Sequence, residues 1–134
     1  MSMVLNMLYS MVANTETKLK ARGIKYTDEL LAACGSPTGI TELAKATGVD
    51  RSYLVKLSHR ADLERIRGIG DAYIALLEEI GVHSARDLAG IAPDELRERL
   101  NQANEEKKLV GRIPALAMVN GWVKRAQYLT RTTH

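Results

Sequence analysis

The sequence contains no phenylalanine, one tryptophan and one cysteine, and no apolar run approaches the ~18 residues that cross a bilayer. The single cysteine, Cys34, excludes an internal disulfide and favours a reducing compartment. Residues 1–14 are apolar and methionine-rich but lack the basic start of an export signal. We therefore expect a cytoplasmic protein with no membrane partner and a core of aliphatic side chains.

The chain also lacks a strong excess of either charge. Its 19 basic and 16 acidic residues give a net charge of +3, which alone does not indicate nucleic-acid binding. The distribution is uneven, because residues 59–103 carry 6 basic and 9 acidic residues whereas residues 104–134 carry 6 and 2. The basic surface is therefore expected near the C-terminus, where Lys124 and Arg125 lie off an apolar helical stripe.

Catalytic and metal-binding patterns are missing as well. The histidines His59, His83 and His134 show no metal-ligand spacing with one another or with Cys34. No grouping of a nucleophile with a base is readable, and the carboxylates look like solvated helix faces. We expect no metal, no cofactor and no enzymatic activity.

What the sequence does contain is helical periodicity, without the alternation typical of strands. The predicted fold is all-α. An amphipathic helix is expected over residues 1–14, and a polar connection with a frayed helix over 101–112. Pro114 is expected to open a final helix with one apolar stripe that includes Leu116 and Trp122, with Trp122 as a core anchor. Further helices are predicted at 15–21, after Thr27, at 42–46, 51–57 and 71–80, after Ser84 and from Pro93.

Two glycines mark the most specific backbone geometry, in the stretch from Arg65 to Tyr73. Gly68 and Gly70 stand one residue apart between two helical patterns, which predicts a tight turn. Ile69 is expected to point inward and fix the turn, and replacing both Gly68 and Gly70 with alanine is expected to damage folding. The amides of Gly70 and Asp71 open the second helix, and unpaired amides at a helix start attract anions.

A shift of 58 residues aligns the two halves of the chain, which indicates a duplication. The shift places Leu19, Gly23 and Leu30 on Leu77, Gly81 and Leu88. We interpret residues 1–58 and 59–134 as two repeats that share one globular unit. Under the same shift Ser10, Met11 and Val12 fall on Gly68, Ile69 and Gly70, so the first turn has lost both glycines and only the second is expected to approach a phosphate closely.

Residues 40–57 permit two interpretations. Their apolar and glycine positions match a DNA-reading helix-turn-helix, in which Arg51, Ser52, Tyr53 and Lys56 face the groove. The alternative is a pair of packed helices, one ended by Gly48 and the next capped by Asp50. The duplication favours the packed pair, because the segment then provides the trailing helices of the first repeat.

Residues 63–70, followed by Leu77, Gly81 and the segment 87–89, resemble the helix-hairpin-helix superfamily. More narrowly, Arg112 with Pro114, Trp122 with Val123, and the glycine turn are similar to a bacterial family of tandem helix-hairpin-helix domains without an assigned function. This resemblance covers roughly residues 18–129. It implies a compact bundle of short helices, similar to SAM domains, built from two helix-hairpin-helix-like repeats with a degenerate first hairpin.

The superfamily resemblance implies binding to a nucleic-acid backbone, expected to be duplex DNA, without sequence specificity. Asp71 departs from the family pattern, because a proline or lysine is frequent at that position and a carboxylate repels phosphate. The alternative is a protein-interaction module in which the glycine turn is purely structural. The candidate nucleic-acid-binding residues are Arg65, Arg67, Gly68, Ile69, Gly70, Asp71, Lys124 and Arg125.

Overall fold

The computed structural model describes residues 3–132. The predicted start of the first helix at Met1 and the histidine His134 lie outside the described residues. Within them the chain forms eight α-helices, one short 3-10 helix and no strand, with a single antiparallel bridge between Val4 and Tyr26. The prediction of an all-α fold is confirmed.

The chain divides into two compact units, Met1–Arg65 and Ile66–His134. Among the helices described, none combines the length and the apolar character that crossing a bilayer requires. That the two sequence repeats share one globular unit stays a prediction. The first unit contains the 3-10 helix Leu5–Met7 and the helices α1 (Ala13–Lys20), α2 (Thr27–Ala33), α3 (Pro37–Thr47) and α4 (Arg51–Glu64); the second contains α5 (Asp71–Glu79), α6 (Ala85–Ala89), α7 (Pro93–Lys107) and α8 (Leu116–Thr132).

In the first unit, α4 packs against α2 and α3. The prediction of a continuous helix over residues 1–14 is wrong. Ser10 has a φ of +59°, a left-handed conformation that an α-helix does not accommodate, and α1 begins only at Ala13. The core of this unit consists of Leu5, Leu8, Leu19, Ile24, Leu30, Cys34, Leu43, Val49, Leu54, Leu57 and Ala61.

In the second unit, α8 packs against α6 and α7, and α5 packs against α7. Trp122 is only 2% exposed, which confirms its prediction as a core residue. Leu116, the first residue of α8, belongs to the same predicted stripe but is 47% exposed. The other buried side chains of α8 are Val119, Val123, Ala126 and Leu129.

The helix predicted from Pro93 and the frayed helix predicted within 101–112 form one continuous helix, α7, which runs to Lys107. The next residue, Lys108, is the C-cap and has a φ of +51°. Two hydrogen bonds hold the following loop: Asn104 Nδ2 donates to Val110 O at 3.0 Å, and Val110 N donates to Asn104 Oδ1 at 3.0 Å. The polar residues here extend the helix and fold the next loop back onto it.

The backbone of the two units follows the same pattern 58 residues apart. Gly23 and Gly81, which follow α1 and α5, have φ values of +82° and +81°. The amide after each glycine donates to the carbonyl five residues earlier, at 3.0 and 2.9 Å. Ser10 and Gly68, with φ values of +59° and +94°, stand at equivalent positions before these helices. Each unit therefore contains a left-handed turn, although only the second has a glycine there.

Candidate functional site

The glycine turn leads directly into α5. Gly68 has a φ of +94°, and the Ile69 amide donates to Ile66 O at 3.1 Å. Ile69 is 4% exposed, so its side chain points inward as expected. Gly70 is the N-cap residue of α5, with φ −106° and ψ −170°, and its carbonyl accepts from the Ile74 amide at 2.9 Å.

The N-terminus of α5 is uncapped and faces solvent. Within residues 3–132 no side chain, the Asp71 carboxylate included, accepts a hydrogen bond from the amides at this N-terminus. Arg67, Gly68, Gly70 and Asp71 are all exposed. The first amides of a helix have no acceptor within the helix, and the helix dipole adds partial positive charge. This arrangement can hold an anion, although Asp71 places a negative charge beside it.

The structure of the free protein explains the glycine at position 68 but not the glycine at position 70. Gly68 needs a left-handed φ, and a Cβ at this position would lie 3.1 Å from Trp122 Nε1. Gly70 has an extended backbone that any residue adopts, and a Cβ there would meet nothing within 4 Å. Backbone conformation therefore requires a glycine at position 68 but not at position 70, and the folding damage expected on replacing both stays a prediction. A glycine without a steric reason in the free protein is typical of a place where a ligand approaches the backbone closely.

The two arginines predicted beside the turn are in different environments. Arg65, the residue after α4, is half-buried, and its guanidinium forms an ion pair with Asp62. Its charge is therefore already partly neutralised. Arg67 is exposed and follows the buried Ile66 at the start of the turn. Arg67 is the better local candidate for a phosphate contact.

Lys124 and Arg125 are exposed on α8. Lys124 lies about 200° around the helix from Trp122, the α8 residue that contacts Gly68, at ~100° per residue. It therefore faces away from the turn. The Arg125 guanidinium stacks 4.9 Å from the ring centre of Tyr128. The structure keeps both residues on the basic face that the sequence predicted but does not bring Lys124 to the glycine turn.

Arg112 is a basic residue near the turn that was not among the predicted site residues. Tyr73, in the first turn of α5, donates from its hydroxyl to Arg112 O at 3.3 Å. The Tyr73 ring also packs edge-on against Trp122, with 5.3 Å between ring centres. Arg112 itself is exposed. These contacts place the loop carrying Arg112 beside the start of α5.

Contacts of the residues proposed to read DNA support the packed-helix interpretation of α3 and α4. Arg51 Nε donates to Thr41 Oγ1 at 2.9 Å, and its Nη2 donates to Pro37 O at 3.2 Å. Tyr53 forms hydrogen bonds with the first turn, through Ser10 and Val12. Two of the side chains that a helix-turn-helix would direct into the groove are thus used inside the unit.

Within residues 3–132 no group of three or more histidine, cysteine, aspartate or glutamate residues is arranged to hold a metal ion. Cys34 is buried, and burial raises the pKa of its thiol. A thiol with a raised pKa is protonated at neutral pH and reacts slowly. Cys34 therefore serves as an apolar core residue.

Comparison with protein families agrees with the expectation of a family without assigned function, but it assigns no helix-hairpin-helix motif. The chain belongs to the family described as a domain of unknown function, DUF4332, whose model matches residues 9–129. The match includes both turns and all eight helices up to residue 129. No curated protein and no solved structure gives a significant match to this chain.

Proposed function

We propose that this member of the DUF4332 family is a non-catalytic module of the cytoplasm that binds the backbone of nucleic acid, duplex DNA first of all, without reading bases. The observation that supports it is the uncapped, exposed N-terminus of α5, preceded by Gly70 in a position where a Cβ would meet no atom. A helix, a glycine turn and a second helix in this order resemble a helix-hairpin-helix motif.

The chemistry of the site favours one phosphate group. Backbone amides at a helix start donate to phosphate oxygens and carry no sequence information, so contacts of this type position a duplex without specifying its bases. Arg67 and Arg112 are exposed near the same end of α5 and supply the positive charge. Asp71 opposes them, so we expect weak binding rather than tight binding.

A gel-shift titration of the full chain with random-sequence duplex and single-stranded DNA, over a range of salt concentrations, tests the proposal. Affinity for duplex should fall as salt rises and should hardly differ between sequences, because phosphate contacts release counterions. Binding that does not change with salt contradicts the proposal. Stronger retention of the single strand would keep backbone binding and exclude a duplex preference.

A charge reversal at Arg67 tests whether the turn itself is the contact. Arg67→Glu should weaken duplex binding by about tenfold or more, because it replaces an attractive charge with a repulsive one beside the amides. The matched control is Arg86→Glu on α6, which makes the same charge change at an exposed position. Equal affinity of the two folded variants would mean that the turn has only a structural role.

A protein-interaction module is the second candidate function. Leu116 and Met118 at the start of α8 are 47% and 43% exposed. A cavity of about 430 Å³ is lined by Leu116, Ala117 and Asn120 of α8 together with Pro93 and Asp94 of α7. This candidate gains support if Arg67→Glu leaves DNA retention unchanged, and it loses support if that variant alone abolishes retention.

A further inference from the structure

Each unit places one aromatic side chain against its left-handed turn. In the first unit this residue is Tyr53 of α4. Its hydroxyl donates to Ser10 O at 2.7 Å and accepts from the Val12 amide at 3.1 Å. Val12 is the N-cap residue of α1, as Gly70 is of α5. The amide of the first N-cap residue therefore already has an acceptor within the protein.

In the second unit the corresponding aromatic residue is Trp122 of α8. Its Nε1 atom lies 3.1 Å from the position of a Cβ on Gly68, and the side chain is 2% exposed. In the described part of the chain this buried indole N–H has no hydrogen-bond acceptor. An unpaired buried donor costs free energy, so its position beneath the turn calls for an explanation.

The difference between the two side chains is chemical. A tyrosine hydroxyl both donates and accepts, whereas an indole N–H only donates. Tyr53 can therefore occupy the amide of its turn, but Trp122 is unable to accept from the Gly70 amide. No acceptor in the described residues takes a hydrogen bond from that amide, and no side chain caps α5. We call a turn closed when its N-cap amide has an acceptor and open when it has none. The first turn, which packs against Tyr53, is closed, and the second, which packs against Trp122, is open.

We propose that Trp122 is a positioning residue that keeps the second turn open to an anion, and that Tyr53 closes the first turn. Trp122 supports Gly68 without occupying the amides that face solvent, so of these two turns only the second leaves its N-cap amide open to an anion. The identity of the ligand as a nucleic-acid phosphate rests on the proposed function. The open and closed states of the two amides do not depend on that function.

Amide hydrogen exchange, followed by NMR on the full chain without nucleic acid, tests the two states directly. We expect the Val12 amide to exchange at least about tenfold more slowly than the Gly70 amide, after correction for sequence, because only Val12 has an acceptor. In the Trp122→Tyr variant the Gly70 amide should become protected. The matched control is Trp122→Phe, which also removes the indole but offers no hydroxyl.

Duplex affinity gives the second readout. Trp122→Tyr should bind random-sequence duplex about tenfold or more weakly than Trp122→Phe, although both remove a similar part of the core. Equal affinity of these variants, or an unchanged Gly70 exchange rate in Trp122→Tyr, would show that Trp122 is only a core residue. If the wild-type chain does not bind duplex, the proposed function is wrong, and the exchange rates still decide this inference.

A variant in the first unit covers the case in which both changes at Trp122 unfold the second unit. Tyr53→Phe removes the hydroxyl and leaves the ring, so the Val12 amide should exchange about tenfold faster while the rest of α1 keeps its protection. Unchanged exchange at Val12 in this folded variant would contradict the role assigned to the hydroxyl.

Discussion

Gly70→Ala separates folding from binding at the glycine turn. The added methyl group would meet no atom within 4 Å, and φ −106° with ψ −170° suits alanine. The free energy of unfolding should therefore fall by no more than ~1 kcal/mol, the cost of alanine instead of glycine at an N-cap position. In a complex, the methyl group lies beside the amides that would hold the phosphate. The loss of one charge-assisted hydrogen bond, ~1.5–3 kcal/mol, corresponds to a fall in affinity of about tenfold or more.

Two other glycines provide the matched controls, since each change also adds one methyl group. Gly68→Ala should destabilise the protein by ~1–2 kcal/mol, because its φ is +94° and the methyl group would crowd Trp122. Gly121→Ala, in the middle of α8 and facing open space, should stabilise it by ~0.5–1 kcal/mol and leave binding unchanged. Urea unfolding and a duplex titration measure both quantities for all three variants.

The results for the three variants together decide whether the amides at the start of α5 contact the phosphate. If Gly70→Ala folds normally and binds duplex as well as Gly121→Ala does, the amides at the start of α5 are not the contact. If Gly70→Ala is as unstable as Gly68→Ala, Gly70 has a structural role that its surroundings do not explain. Either result would remove the physical argument for an anion site at this turn.

Three further changes test neighbouring parts of the protein. Arg112→Glu should lower duplex affinity several-fold more than Arg86→Glu in a duplex titration, because the hydrogen bond from Tyr73 places the loop that carries Arg112 beside α5. Asn104→Ala should destabilise the protein by ~2 kcal/mol in urea unfolding, since it removes both hydrogen bonds to the partly buried Val110 backbone. Cys34 should react with iodoacetamide much more slowly in the folded than in the unfolded chain, as measured by mass spectrometry, because burial raises its thiol pKa; equal rates would contradict its placement in the core.

Local rules explain which parts of the fold the sequence predicted. Gly81 ends α5 with a left-handed φ of +81°, and the Ser84 hydroxyl accepts from the Asp87 amide at the start of α6. Both features depend on a few consecutive residues with strong conformational preferences. The first turn lacked such a signal, because Ser10 takes a left-handed φ without being glycine. The 58-residue shift, which aligned Ser10 with Gly68, was the available evidence for that turn.

Tertiary contacts explain what sequence reasoning missed at the candidate site. The contact between Tyr73 and Arg112 joins residues 39 apart, and no local pattern indicates it. The ion pair between Asp62 and Arg65 is local by contrast, because the two residues stand three apart at the end of α4, a spacing that brings helical side chains together. The turn itself was predictable because glycine and Ile69 specify backbone geometry. The charges available to it depend on which loops and side chains the fold brings near.

The salt dependence of binding can distinguish a local site from an extended basic surface. The logarithm of affinity falls with the logarithm of salt concentration by ~0.9 per phosphate neutralised on duplex DNA. Contacts by Arg67 and Arg112 alone therefore predict a slope near −2. Lys124 faces away from Trp122, so a duplex that also contacted the basic face of α8 would have to extend beyond the turn. The added contacts of Lys124 and Arg125 would steepen the slope towards −4. A slope near −2 that Lys124→Glu does not change would confine binding to the turn and the Arg112 loop.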